Sequence, residues 1–162
     1  MRITWNELTV SPYDLDLDGL LCEWRWLVDE TFHPVVISAL GDLFLRHDDG
    51  RIFWLSSGWG QLAEVARDAD EFKQFMVRPE NAGAWFMPNL VGDILTQGQR
   101  LSPGQCFGYK VPPVLGGEFK PDNFEPTDLQ VHFGILGQIH RQVKDLPTGT
   151  PISEIKIEGF DG

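Results

Sequence analysis

Two apolar runs joined by an Asp-Asp-Gly turn constrain this chain more than any other feature. Leu43-Phe44-Leu45 and Ile52-Phe53-Trp54-Leu55 are rich in strand formers, and Asp48-Asp49-Gly50 between them supplies glycine where a tight turn needs positive φ. A connection this short pairs two strands antiparallel, because a parallel pair needs a long crossover. Val35-Val36-Ile37 precedes the pair. Glu23-Trp24-Arg25-Trp26-Leu27-Val28 partly alternates and also reads as a strand, which predicts an antiparallel meander.

Helical periodicity begins after the meander. Asp68 with Glu71 has capping-box spacing, Phe72, Phe75 and Met76 fall on one face, and Pro79 ends the run. Residues 80–97 read as helical, with Pro88 marking a kink or restart. A further strand spans residues 105–111. Thr127 with Gln130 makes a second capping box, and Val131, Ile135, Ile139 and Val143 recur every four residues, flanked by Leu129, Phe133, Leu136 and His140. Gly134 and Gly137 each cost that helix about 1 kcal/mol against Ala, so a close-packed neighbour is expected there. Strands followed by helices, then another strand and helix, predict a single α+β domain over residues 1–162, an antiparallel sheet with helices packed on it.

Charge narrows the partners. Thirteen Lys and Arg against 24 Asp and Glu give a formal charge of −11. Phosphate neutralisation needs the opposite sign, so neither direct nucleic-acid binding nor attachment to an anionic membrane is expected. No apolar run approaches the ~18 residues of a membrane span, and the first residues lack the continuous apolar stretch of a signal peptide, so a cytoplasmic location is expected. Cys22 and Cys106 stand far apart among large apolar neighbours and read as buried thiols.

Motifs for chemistry are sparse. Asp14-Leu15-Asp16-Leu17-Asp18-Gly19 has the start of a calcium loop, but Arg25 stands where the twelfth position should bring a bidentate Glu. No metal is therefore expected, and the segment reads instead as a solvated acidic edge with Leu15 and Leu17 turned inward. His33, His47, His132 and His140 show no ligand spacing. Ser56 and Ser57 lack the glycine that a nucleophile elbow needs before them, and nothing beside Cys106 would activate it. Neither a P-loop nor a dinucleotide fingerprint occurs. No catalytic residue and no cofactor are assigned.

The candidate contact residues lie in the acidic N-terminal stretch. Asp14, Asp16, Asp18, Glu23, Asp29 and Glu30 are opposed between residues 14 and 30 by Arg25 alone. Trp24 and Trp26, two of six tryptophans, would share one face of the expected strand. Acidic groups around aromatic anchors suit a basic partner.

Three segments together resemble a known family: Gln105-Cys106-Phe107-Gly108-Tyr109-Lys110, Leu115-Gly116-Gly117-Glu118, and residues 128–140 from Asp128-Leu129-Gln130 to Gln138-Ile139-His140. They resemble the C-terminal domain of type VI secretion immunity proteins. The stretch from Gly41-Asp42 through Leu55, with Gln61-Leu62-Ala63-Glu64-Val65-Ala66 and Glu71-Phe72, extends the likeness to roughly residues 40–142. Such proteins are encoded beside secreted toxins, DNases among them, and protect the producing cell by binding the toxin. The resemblance implies a non-enzymatic protein whose partner is a cognate toxin encoded nearby. It casts Gly108, Tyr109, Gly116 and Gly117 as architectural. A nuclease presents a basic groove to phosphates, and an acidic inhibitor complements it. The alternative is a small-molecule-binding or hydrolytic domain with a pocket between sheet and helices.

Overall fold

Leu43 and Leu45 pack into one cluster of buried side chains and Phe44, between them, into another; all three are fully buried. Side chains alternate across a strand, so the sheet that carries them needs cover on both faces. The computed structural model describes residues 2–147 and 149–159; Met1, Thr148 and residues 160–162 of the expected 1–162 domain lie outside the described residues. Strands β1 (Thr9–Val10), β2 (Phe32–Ser38), β3 (Leu43–His47), β4 (Ile52–Ser56) and β5 (Gln61–Ala66) lie side by side in chain order. Each is antiparallel to the next, the meander that the hairpin implied. Gly50 closes the β3–β4 turn at φ 98°. Strands β6 (Gln105–Tyr109) and β7 (Phe124–Asp128) form a second antiparallel pair. The Phe107 N–H donates to the Ala39 carbonyl at 2.7 Å and ties that pair to the end of β2.

A short helix α1 (Trp5–Leu8) precedes β1. Helices α2 (Ala69–Met76), α3 (Pro79–Phe86) and α4 (Pro88–Thr96) cover the Phe44 face, where Ile52, Phe72, Phe86, Val91, Ile94 and Phe107 are buried together. The opposite face takes a 3-10 helix (Asp18–Trp24) and the long helix α5 (Leu129–Val143), which bury Leu21, Trp24 and Phe133 against Leu43, Leu45 and Leu55. Pro88 restarts the helix as expected, with Met87 in the left-handed region at φ 48° between α3 and α4. Beyond α5 the chain turns back along it. The Gln138 side-chain amide exchanges two hydrogen bonds with the Glu158 backbone, both at 2.7 Å, and Gln142 does the same with Lys156 at 2.6 and 3.0 Å.

Several local expectations are corrected. Residues 23–28 are not a strand: the buried positions Leu20, Leu21, Trp24 and Val28 follow helical spacing. Asp16 starts the 3-10 helix by accepting the Gly19 N–H at 3.1 Å, and the Arg25 guanidinium closes the following turn on the Asp29 carbonyl at 3.0 Å. Helix α5 is capped by Asp128 rather than Thr127. The Asp128 carboxylate accepts from Gln130 N and Val131 N at 2.9 and 3.2 Å, while Thr127 remains in β7 and donates to the Glu125 carbonyl. Asp68 caps α2 as expected, at 2.8 Å from Glu71 N, but Glu71 reaches back to Arg67 N instead of completing the box. Cys106 is buried; Cys22 is exposed, on the outer side of the 3-10 helix. The close neighbour expected at Gly137 is the 3-10 helix itself: a Cβ there would lie 2.6 Å from the Glu23 carbonyl oxygen.

Candidate functional site

The acidic segment is a loop and 3-10 helix laid across α5. Asp14, Asp16, Asp18, Asp29 and Glu30 are exposed, and Leu15 and Leu17 pack inward between them. Glu23 is half-buried and faces Arg141 of α5 at 3.6 Å. Hydrogen bonds from Thr31 hold the Asp29 carboxyl below the usual range, and the nearby His47 and Arg25 act in the same direction. Asp14 has a left-handed backbone at φ 62°, beside the exposed Tyr13. The two tryptophans do not share an outer face. Trp24 is fully buried, its indole donating to the Phe133 carbonyl at 2.8 Å. Trp26 is half-buried, stacks on Trp24 at 5.8 Å and donates to the Glu23 carbonyl. Trp24 thus holds the segment to α5 from beneath, and Trp26 is the ring at the surface.

A second constellation lies inside the protein. Asp42 precedes β3, Ser57 follows β4, and His132 and His140 project from α5; all four are buried. Asp42 accepts from the Ser57 N–H and hydroxyl at 2.9 and 3.1 Å through one oxygen, and from the Trp54 indole at 3.1 Å through the other. His132 Nε2 lies 2.9 Å from the Gly41 carbonyl and 3.1 Å from the Ser57 hydroxyl oxygen, and His140 Nε2 lies 2.7 Å from the Ser57 carbonyl. A carbonyl only accepts, so both imidazoles carry their hydrogen on Nε2. Burial lowers the His132 pKa to about 4, against the pull of the Gly41 carbonyl, and shifts His140 in the same direction. Burial also raises Asp42 to about 6, although its three donors favour the carboxylate. Two glycines make room for these rings: Gly41 at φ 82° and Gly60 at φ 68°, where a Cβ would overlap His132 and His140 respectively.

Serine, histidine and aspartate therefore meet, but in an order that activates no nucleophile. The Ser57 hydroxyl gives its hydrogen to Asp42, and His132 gives its own to a backbone carbonyl. Nucleophilic catalysis needs the imidazole to accept the hydroxyl proton and the hydroxyl to face a substrate. Here the group joins the ends of two strands to α5. Sequence reading placed these residues on separate elements and did not unite them; the one local signal is an aspartate directly after Gly41 at the start of an apolar strand. Cys106 is likewise inert, since burial pushes its thiol far above the range of a reactive thiolate. Among the described residues no group of three or more His, Cys, Asp or Glu is placed to hold a metal ion.

Two cavities adjoin these features. A cleft of about 660 Å³ runs between the N-terminal segment and the loop before β6, with Glu7, Tyr13 and Asp14 on one side and Leu101, Pro103 and Phe107 on the other. A smaller one, of about 200 Å³, opens over Asp42 and is lined by Trp54, Trp59, Trp85, Tyr109 and Phe119.

Among solved structures the fold is similar to that of Atu4351 from Agrobacterium tumefaciens, with a TM-score of 0.50 and 16% identity over 75% of this chain and 62% of that one. No curated protein matches the chain. Residues 66–140, from the end of β5 to the later turns of α5, match the family described as T6SS immunity protein Tdi1, C-terminal.

Proposed function

We propose that the protein is a cytoplasmic, non-enzymatic immunity factor that neutralises a cognate secreted toxin by binding it directly. The family match over residues 66–140 carries this reading. The charge of −11 supports a basic toxin, of which a DNase is the leading kind, because its phosphate-binding groove attracts an acidic inhibitor. The contact surface proposed is the acidic segment: Asp14, Asp16, Asp18, Asp29 and Glu30 as the exposed rim, Glu23 beside Arg141, and Trp26 as the aromatic anchor. Trp24 contributes from below by fixing the segment on α5.

Binding of the product of the adjacent gene, followed at two salt concentrations, tests this. Converting Asp14, Asp16 and Asp18 to Asn should slow association and flatten its salt dependence while leaving stability close to wild type, since all three side chains are exposed and Asn at position 16 keeps an oxygen to accept the Gly19 N–H. Trp26→Ala should speed dissociation, and Trp24→Ala should destabilise the free protein. Absence of binding at micromolar concentration would defeat the immunity reading. Binding indifferent to salt and to the three Asn substitutions would move the contact surface elsewhere.

A further inference from the structure

The Asp42 carboxylate lacks what a buried anion ordinarily has. Its bonding partners are the Ser57 N–H and hydroxyl and the Trp54 indole, all neutral donors. Among the described residues no Lys, Arg or His nitrogen comes within ion-pair distance of it. Buried charges are as a rule paired, and burial raises the Asp42 pKa against the pull of its three neutral donors. One side of this residue is not closed by protein. It forms part of the wall of the 200 Å³ cavity, which is lined mainly by Trp54, Trp59, Trp85, Tyr109 and Phe119, with Leu40, Ser56, Ala84 and Met87 between them.

That composition is selective. Aromatic rings attract cations through their negative faces, and most strongly where water is displaced. Asp42, which lines the cavity, adds a full charge when ionised in a poorly solvated place. The same walls repel anions and offer a neutral ligand mainly apolar contact. The volume is below the usual ~300–1,000 Å³ of a metabolite pocket, so it suits a head group rather than a nucleotide or a sugar. The rim is open, since Trp59 is 51% exposed. Met87, whose left-handed backbone departs from ordinary helix geometry, lines the same cavity.

We infer that this cavity is a receptor for an organic cation, an alkylammonium or guanidinium head group held between the aromatic walls and the Asp42 carboxylate. The inference stands apart from toxin binding, because it concerns a different face from the acidic segment and is read without the toxin. A free quaternary ammonium and the side chain of a partner's lysine or arginine carry the same chemistry. Choline serves as probe for the first, and N-acetyl-lysine and N-acetyl-arginine methylamides for the second.

The full chain, labelled with 15N, is titrated at pH 8, where Asp42 is ionised, and the tryptophan indole resonances are followed. Trp54 reports from the carboxylate itself. The control is 3,3-dimethylbutanol, which has the shape of choline without its charge. At least one of the cations should shift the Trp54 and Trp59 indoles in a saturable way, with an affinity roughly tenfold or more above that of the neutral isostere. Asp42→Asn should erase that preference. Trp59→Ala, at an exposed rim position, should weaken cation binding several-fold and keeps the test open if the Asp42 variant does not fold. Saturation by choline alone assigns a free cation, and by the amino-acid amides alone a partner's side chain. Equal binding of choline and the isostere, or no saturable shift from any cation at 100 mM, would overturn the inference.

Discussion

Asp42 and His132 titrate in opposite senses within one buried network, and removing the first should expose the second. The His132 pKa is lowered from 6.5 to about 4, so the folded protein resists a proton that the unfolded chain accepts. Its contribution to stability is complete above pH 6.5 and is lost as pH falls toward 4, by about 3 kcal/mol. Asp42 is raised from 3.8 to about 6, so its contribution is complete below pH 3.8 and is lost as pH rises through 6, by a similar ~3 kcal/mol. Between pH 6 and 4 the two slopes oppose each other. Asp42→Asn keeps an oxygen to accept from Ser57 and removes the titration. Urea unfolding of both proteins, followed by tryptophan fluorescence from pH 8 to pH 4, should show the variant losing about 3 kcal/mol more than wild type on acidification. Carboxylates held low at the surface, such as Glu7, Asp29, Asp49 and Glu71, weaken both proteins alike in acid and drop out of the difference. Parallel stability curves for the two proteins would refute the argument, because Asp42 would then not be buried as a weak acid.

Capping, packing and thiol chemistry give three further tests. Asp128→Ala should cost about 1 kcal/mol by removing the acceptor for two N–H groups of α5, and Thr127→Ala should cost less; a larger loss at Thr127 in thermal unfolding would reverse the cap assignment. Gly137→Ala should destabilise the protein despite a helix-propensity gain of about 1 kcal/mol, because the new methyl meets the Glu23 carbonyl; a rise in melting temperature would show that the 3-10 helix does not press on α5. A thiol reagent should modify Cys22 in the native protein and Cys106 only on unfolding, as counted by mass spectrometry before and after denaturation.

What could be read from the sequence was whatever is settled within a few residues. The Asp48-Asp49-Gly50 turn fixed β3 and β4, Pro88 divided α3 from α4, and the apolar stripe gave α5, because each signal acts through local backbone geometry or one amphipathic face. The reading failed where neighbouring signals compete. Glu23 to Val28 alternate like a strand, yet Leu20, Leu21, Trp24 and Val28 bury at helical spacing, and docking on α5 decides between the two. Thr127 and Asp128 both can cap; pairing of β7 with β6 retains Thr127 in the strand and leaves the cap to Asp128. Strand β7 carries Pro126 and half of β5 is exposed without regular alternation, so neither shows the usual strand pattern. The acidic rim was legible as composition, since exposed charge needs no tertiary partner. The Asp42 network was not, because residues 42, 57, 132 and 140 are brought together only by topology.

The seating of the 3-10 helix on α5 also governs when the acidic surface can exist. Trp24 hydrogen-bonds a carbonyl 109 positions further along the chain, and the Glu23 backbone rests on Gly137. While the protein is being synthesised, residues 18–28 therefore emerge without the helix that orders them. At ~5–20 residues per second they wait roughly ten seconds for α5 to leave the ribosome. Until then the carboxylates of residues 14–30 belong to a flexible acidic segment, able to attract a basic protein through its charge but not to present a fixed surface to it. A chain interrupted before α5 would keep the charge and lose the shape.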